Sequence, residues 1–246
     1  MKLSGNTVLV TGGATGIGLS IATRFLDAGS RVVICARNKE QLEWVRTTYP
    51  AFETIYADIG GHEARESLVN AVIDRFGELN VLVNNAGIQR RVDLLADKVP
   101  WSVKAEEVAV NFEAPVHLAM LLAPYFLQRE RAAIINVTSG LAFIPSNQVA
   151  VYAATKAALH SFTLTLRSRL QGTSVSVVEV IPPAVNTDLG GAGVHAAGVS
   201  IDAFTGHVMA RLETGDVEIG YGTSERFRTA TREEAEAIFR EMNAQM

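Results

Sequence analysis

Residues 11–18 read Thr-Gly-Gly-Ala-Thr-Gly-Ile-Gly and carry the strongest structural signal in the chain. They follow an apolar run typical of a buried strand and lead directly into an amphipathic stretch typical of a helix. Glycines at 12, 16 and 18 allow a tight turn and a close approach of the backbone to a pyrophosphate, whose charge the N-terminus of the helix stabilises. The pattern in this position predicts a dinucleotide-binding βαβ unit.

Apolar strand-like runs alternate with helical periodicity through most of the chain. Strands are predicted over 7–11, 31–35, 53–57, 79–84, 133–138, 174–181 and 217–221, and helices over 17–28, 39–48, 63–76, 102–128, 149–171, 201–213 and 231–242. This alternation is typical of consecutive βαβ units, whose sheet is covered on both sides. We therefore predict a Rossmann-type, doubly wound α/β fold with a mostly parallel, seven-stranded sheet and helices on both faces.

No repeat or linker divides the chain, so residues 1–246 are predicted to form a single domain. Residues 1–187 are expected to bind the cofactor and hold the catalytic groups. Residues 188–215 are expected to cover the substrate, because the segment 188–200 is rich in glycine and has few large side chains to anchor it. Residues 216–246 supply the last strand and a charged tail.

Composition argues against several classes of protein. The net charge is −4 and no dense Lys/Arg run occurs, which argues against a nucleic-acid partner. The longest apolar stretch, residues 116–127, contains His117 and Pro124 and is shorter than the ~20 residues that span a bilayer. The histidines and Cys35 lack metal-ligand spacing, so no metal is predicted. The lone cysteine and the absence of a leader-like segment favour a cytoplasmic location.

Three further motifs follow the glycine turn in chain order. They are Asn84-Asn-Ala-Gly87 after the fourth predicted strand, Ser139 at the end of the fifth, and Tyr152-Ala-Ala-Thr-Lys156. Together with the Gly-x-x-x-Gly-x-Gly spacing of the turn, they resemble the short-chain dehydrogenase/reductase family over about residues 5–190. The resemblance implies an oxidoreductase that transfers a hydride between a nicotinamide cofactor and a carbonyl or secondary alcohol carbon.

Tyr152 and Lys156 lie four residues apart on a predicted helix, so we expect both side chains on one face. An ammonium group beside a phenol lowers the pKa of the phenol toward the working range. The resemblance implies that Tyr152 donates the proton in carbonyl reduction and accepts it in alcohol oxidation. It also implies that Lys156 binds the nicotinamide ribose and that Ser139 hydrogen-bonds the substrate oxygen. Asn111 matches an asparagine that anchors a water leading to the lysine.

The end of the second strand distinguishes the two nicotinamide cofactors, because a carboxylate there accepts the ribose 2′-hydroxyl of NAD. This chain has Ala36 and then Arg37, and a guanidinium matches a 2′-phosphate in charge and geometry. We therefore predict NADP(H). Besides Tyr152 and Lys156, the resemblance implies cofactor contacts from Gly12, Thr15, Gly16, Ile17 and Gly18 in the turn, Asp58 and Ile59 at the adenine, Asn85, Ala86 and Gly87 at the adenosine ribose, and Pro182, Val185 and Thr187 at the nicotinamide.

The turn Pro182-Pro-Ala-Val185 and the C-terminus resemble the branch of the family named for D-alanine esterification of teichoic acids, because Pro183 stands where most relatives have glycine. That name is not carried over as a function. The pocket candidates Gln89, Phe143, Ile144, Pro183, Ala184 and Leu189 favour a moderately hydrophobic carbonyl compound.

We predict an NADP(H)-dependent carbonyl or ketone reductase with a small-molecule substrate. An NADPH-binding sensor or assembly subunit without turnover remains the alternative, although the four catalytic positions are filled. A cofactor-free lyase would carry arginine in place of Lys156, and an epimerase usually has a longer C-terminal region. A homodimer through helices 102–128 and 149–171 is expected, with a homotetramer left open, and neither nucleic acid nor membrane is expected as a partner.

Overall fold

The strand-like runs form a parallel sheet in the computed structural model, which describes residues 1–96 and 98–244. Over those residues the sheet has seven strands in the order β3-β2-β1-β4-β5-β6-β7, and every neighbouring pair is parallel. The strands are β1 (Thr7–Thr11), β2 (Arg31–Ala36), β3 (Glu53–Tyr56), β4 (Leu79–Asn84), β5 (Ala132–Val137), β6 (Val175–Ile181) and β7 (Glu218–Gly220). The predicted Rossmann-type, doubly wound fold is confirmed, and the sheet is wholly parallel.

Helices connect the strands and cover the sheet. They are α1 (Gly16–Asp27), α2 (Lys39–Thr48), α3 (His62–Arg75), α4 (Trp101–Val108), α5 (Ala114–Phe126), α6 (Ala150–Arg169), α7 (Ile201–Thr214), α8 (Thr223–Thr229) and α9 (Arg232–Asn243). No helix within the described ranges is long and apolar enough to cross a membrane.

Two hydrophobic cores lie on opposite faces of the sheet, because successive strand side chains point to opposite sides. Val8 and Val10 of β1 pack in one core with α1, α2 and α7. Leu9, between them, packs in the second core with α3, α5 and α6. Burial on both faces explains why the strands are almost continuously apolar in sequence.

The helix predicted over 102–128 is interrupted by a π-helical turn, Ala109–Glu113, which separates α4 from α5. Asn111 lies in this turn and is buried. Single π turns inside α-helices frequently occur at functional sites. The hydrophobic periodicity continues across the interruption, which is why the sequence indicated one uninterrupted helix.

Helix α8 was not predicted from the sequence. Its seven residues include Glu225, Arg226 and Arg228, so they give too short and too polar a pattern for a periodicity argument. Tertiary contacts stabilise the helix instead. Ser224 is fully buried, and its hydroxyl donates a hydrogen bond of 2.5 Å to the carbonyl of Ile181 at the end of β6.

Candidate active site

A cleft of about 1070 Å³ lies at the carboxyl ends of the strands. The chain connections run outward in both directions from β1 and β4, and ligands of open α/β sheets bind at this switch point. Most of the predicted site residues line the cleft: Gly12, Thr15, Gly16, Ile17, Arg37, Asp58, Ile59, Asn85, Ala86, Gly87, Ser139, Tyr152, Lys156, Pro182, Val185 and Thr187. Gly18 and Asn111 are buried and do not line it.

The glycine turn is packed directly against the Asn84–Gly87 segment. Gly12 has φ +62°, and a Cβ placed on it would lie 2.8 Å from Cα of Ala86. A Cβ on Gly18 would lie 2.3 Å from Nδ2 of Asn85 and 2.5 Å from the carbonyl oxygen of Gly12. Both positions therefore require glycine, the first for conformation and space and the second for space.

Thr11 and Asn85 join the same two motifs by hydrogen bonds. Oγ1 of Thr11 accepts from the backbone N–H groups of Asn85 at 3.0 Å and Ala86 at 3.1 Å. In return, Nδ2 of Asn85 donates to the carbonyl oxygens of Thr11 at 3.0 Å and Gly12 at 3.2 Å. The two segments thus form one rigid wall of the cleft.

Arg37 also lines the cleft and comes directly after β2. Ala36 ends the strand, so no carboxylate occupies that position. Arg37 pairs with the carboxylate of Glu106 in α4. Ile59 is buried and Asp58 is exposed, and the carboxylate of Asp58 accepts a 3.1 Å hydrogen bond from the backbone of Gly60.

Ser139, Tyr152 and Lys156 lie together at the opposite end of the cleft. Ser139 follows β5, and its Oγ accepts from the backbone N–H of Leu141 at 3.1 Å. Tyr152 and Lys156 are one turn apart on α6, as predicted, with Nζ of Lys156 5.6 Å from the centre of the tyrosine ring. All three are buried, at 8%, 6% and 3% exposure respectively.

Burial controls the pKa values at this end of the cleft. It raises the pKa of Tyr152 to about 12, although a hydrogen bond with the Ser139 side chain opposes the rise. It lowers the pKa of Lys156 to about 8. The sequence had indicated a lowered pKa for Tyr152, and the structure gives the reverse. Nζ of Lys156 donates to the carbonyl oxygen of Val137 at 2.8 Å, and desolvation of a phenolate outweighs an ammonium that is not in contact with the phenol oxygen.

Asn111 fastens the segment after Gly87 to helix α6. Its Oδ1 accepts from the backbone N–H of Ile88 at 2.8 Å, and its Nδ2 donates to the carbonyl oxygen of Ile88 at 2.7 Å. The same Nδ2 lies 3.2 Å from Oγ1 of Thr155 in α6. The amide is therefore a positioning group in this structure, and the predicted role as a water anchor stays a prediction.

Several functional candidates were missed in the sequence. Glu107 of α4 is fully buried, and only one carboxylate oxygen has a partner, the backbone N–H of Arg90 at 3.3 Å. Burial raises the pKa of Glu107 to about 7, and its charge raises the pKa of Tyr152. In sequence, Glu106 and Glu107 have the appearance of a solvent-exposed charged pair, so only the fold reveals this position.

A second missed feature is the wall formed by the C-terminal helices. Thr223, Ser224 and Phe227 of α8 and Met242 of α9 line the cleft. Asn243 fastens α9 to the loop between Ser139 and Tyr152: its Oδ1 accepts from the backbone N–H of Asn147 at 2.8 Å, and its Nδ2 donates to the carbonyl oxygen of Pro145 at 3.1 Å. A charged tail gives no sequence signal for such a role.

Two of the predicted pocket residues lie elsewhere. Gln89, Pro183, Ala184 and Leu189 line the cleft as expected. Phe143 and Ile144 instead line a separate groove beneath α9, because the short helical turn after Ser139 directs them away from the cleft. The glycine-rich segment also reaches the cleft, where Nε2 of its His195 lies 3.0 Å from Oε1 of Gln89.

The sheet order and the glycine turn define a Rossmann-type α/β protein, and comparison with known proteins narrows this class. The model of the short chain dehydrogenase family matches residues 6–196. The chain is 42% identical to the uncharacterized oxidoreductase DltE of Bacillus subtilis strain 168, covering 100% of this chain and 99% of the relative. The chain therefore belongs to the short-chain dehydrogenase family, and its resemblance to the predicted branch is confirmed.

Solved structures of the same family superimpose closely. A short chain dehydrogenase from Burkholderia cenocepacia J2315, in complex with NADP, has a TM-score of 0.85 at 26% identity, covering 98% of this chain and 99% of the other. A 3-ketoacyl-(acyl-carrier-protein) reductase from Brucella melitensis, complexed with NADH, has a TM-score of 0.80 at 28% identity, covering 90% of this chain and 99% of the other. Relatives of this fold thus include complexes with either nicotinamide cofactor.

Proposed function

We propose that this chain is an NADP(H)-dependent carbonyl reductase, acting on a small ketone or aldehyde or, in reverse, on an alcohol. One observation carries the proposal: Ser139, Tyr152 and Lys156 are buried together at one end of a cleft whose other end is formed by the glycine turn and Arg37. A single extended ligand can therefore reach both the turn and the catalytic group of residues. Solved relatives in complex with NADP or NADH support a nicotinamide cofactor as that ligand.

The residues of the cleft fit a phosphorylated dinucleotide. Gly12, Gly16 and Ile17 of the turn line the cleft, so a pyrophosphate bound there would meet the N-terminus of α1. Arg37, without an acid at the end of β2, suits a 2′-phosphate. Asp58 and Ile59 would hold the adenine, and Asn85, Ala86 and Gly87 the adenosine ribose. Pro182, Val185 and Thr187, at the end of β6, would hold the nicotinamide.

The catalytic residues have distinct tasks. The bound nicotinamide supplies the hydride that the carbonyl carbon receives. The Tyr152 hydroxyl donates its proton to the carbonyl oxygen, and its high pKa keeps the hydroxyl protonated at neutral pH. The Ser139 hydroxyl donates a hydrogen bond to the same oxygen while negative charge develops there. Lys156 binds the ribose hydroxyls and supplies positive charge beside the phenol. Asn111 holds the Ile88 segment against α6.

Several apolar side chains would meet the substrate in the cleft. Leu141, Pro183, Ala184, Leu189, Phe227 and Met242 line it, which supports a moderately hydrophobic substrate. Residues 188–215 would cover that substrate. The segment 188–200 is attached at its far end by a bridge between Val185 and Val199, and His195 contacts Gln89 across the cleft.

A homodimer through the long helices completes the proposal, with the protein in the cytoplasm. Met120 of α5 and Leu164 of α6 are 63% and 41% exposed, and an apolar surface of this kind is suited to pairing with its own copy. Light scattering tests this point, and a monomer at micromolar concentration would contradict it.

The central test is a fluorescence titration with NADPH and NADH, followed by a panel of aryl ketones, diketones and aldehydes assayed by loss of cofactor absorbance. Tighter binding of NADPH, with turnover of at least one carbonyl compound, is the expected result. Tight binding without turnover across the panel would favour a sensor or assembly subunit. Absence of binding to either cofactor would refute the proposal.

A further inference from the structure

Glu106 forms the centre of a charged cluster at the adenosine end of the cleft. One of its carboxylate oxygens pairs with Nη1 of Arg37, and the other accepts a hydrogen bond of 2.5 Å from Nη2 of Arg90. Both arginines line the cleft. The guanidinium of Arg37, first, and then that of Arg90 hold the pKa of Glu106 below its ordinary value, so the carboxylate is charged at neutral pH.

The Arg37–Glu106 pair joins two segments that are distant in the chain. Arg37 follows β2, whereas Glu106 belongs to α4, which follows β4. These strands lie on opposite sides of β1 in the sheet, so the Arg37–Glu106 pair joins segments that follow strands on the two sides of β1. Arg90 is 26% exposed and holds the second carboxylate oxygen of Glu106. Glu106 is therefore anchored in place and is not merely a mobile counterion of Arg37.

We propose that Glu106 is a specificity-determining residue: its carboxylate engages the Arg37 guanidinium that a 2′-phosphate would use, and thereby reduces the preference for NADP(H) over NAD(H). The inference rests on the proposed function, because it assigns a second residue to the same cofactor site.

Charge supplies the physical reason. A 2′-phosphate bound to Arg37 would lie near a second anion that already uses part of the same guanidinium, so its binding must overcome repulsion and competition. The 2′-hydroxyl of NAD carries no charge and meets no such penalty. Because Arg37 and Glu106 are 49% and 37% exposed, solvent screens the pair and the effect is moderate.

The test is the variant Glu106→Gln, which keeps the shape and removes the charge. The dissociation constant for NADPH should fall about fivefold, while that for NADH changes by less than about twofold. Glu43→Gln is the matched control. Among the ion pairs of the described chain, Glu43 pairs only with Arg46, at 2.8 Å, on the exposed face of α2. Glu43→Gln therefore changes the net charge by the same amount as Glu106→Gln and leaves the Arg37–Glu106 pair intact.

A double-mutant cycle makes the assignment specific to Arg37. In an Arg37→Gln background, the change Glu106→Gln should leave NADPH affinity the same within about twofold. Equal gains for NADPH and NADH, a gain that persists without Arg37, or the same gain from Glu43→Gln would each overturn the inference and leave the proposed function standing. A wild-type protein that binds neither cofactor would refute both.

Discussion

Nζ of Lys156 donates a 2.8 Å hydrogen bond to the carbonyl oxygen of Val137, the last residue of the strand that leads to Ser139. The ammonium of this α6 residue is thereby held against the end of β5, with little solvent around it. This hydrogen bond fixes the position of α6 relative to the end of β5, two elements that are adjacent in space and separate in the chain.

The first prediction concerns the stability contributed by Lys156. Burial lowers its folded-state pKa to about 8, and the unfolded chain retains the ordinary value near 10.4. Between these values the unfolded state binds more protons, so the wild-type free energy of unfolding should rise with pH in this window because of Lys156. Lys156→Met should remove that part of the rise. Urea unfolding at pH 7.5 and pH 10 measures it, and parallel pH dependences of the two proteins would contradict it.

Turnover should depend on the Tyr152 hydroxyl. Tyr152→Phe removes the proton donor and leaves the ring, so kcat should fall by about 10²–10⁴-fold while the dissociation constant for the cofactor changes little. Tyr125→Phe is the control, since it removes a hydroxyl that donates to the Gly77 carbonyl at the surface, at 2.5 Å. Steady-state assays with a substrate from the carbonyl panel make the measurement. A Tyr152→Phe enzyme with wild-type kcat would refute the mechanism.

The glycine turn should tolerate a Gly→Ala substitution far less well than an ordinary left-handed turn does. Gly12 and Gly29 both have positive φ, +62° and +86°, but a Cβ on Gly29 meets nothing within 4 Å. Gly29→Ala should therefore cost about 1–2 kcal/mol of unfolding free energy from backbone strain alone. Gly12→Ala should cost more, because its Cβ collides with Ala86, and should also abolish cofactor binding. Chemical unfolding and cofactor titration of both variants measure these effects. Equal losses of unfolding free energy and of cofactor affinity in the two variants would count against the proposed packing.

His160 should make stability dependent on pH in the opposite direction to Lys156. Its Nδ1 lies 2.9 Å from the buried carboxylate of Glu179, which raises the pKa of His160. A raised folded-state pKa stabilises the protein fully below the unfolded value near 6.5, and this stabilisation is lost as pH rises through the folded value.

His160→Gln should therefore be most destabilised relative to wild type at pH 5.5, with a smaller difference at pH 9. Thermal unfolding at the two pH values tests this expectation. His62→Gln, at an exposed position at the start of α3, is the matched control for the loss of an imidazole. A gap for His160→Gln that widens toward pH 9 would contradict the sign.

Much of this architecture was predictable because local patterns and burial agree. Strand β1 is apolar on both faces, Gly12 and Gly18 lie where the backbone must turn and pack closely, and Tyr152 and Lys156 share a helix face. Each of these signals is contained in a few neighbouring residues. The position of each motif at the end of a strand then predicts that the motifs meet at one edge of the sheet.

The remaining features depend on contacts between distant segments. Glu106 meets Arg37 across 69 positions of sequence, and Asn243 meets Asn147 across 96. The hydrophobic periodicity of a sequence carries no information about which distant side chains will pair. The raised pKa of Tyr152 belongs to the same group, because it follows from the desolvation of the assembled cleft, and the helical spacing of Tyr152 and Lys156 alone indicated the opposite direction.

The wall that α8 and α9 form at the substrate end has a consequence for the divergence of such enzymes. The turn and the Asn84–Gly87 segment come from the first 87 residues of the chain, whereas Phe227 and Met242 come from its last twenty residues. If the proposed function is right, mutations in the tail will alter substrate choice without changing the segments that would hold the dinucleotide. Exchange of residues 222–246 between homologues would then change the substrate range while the proposed catalytic residues stay the same.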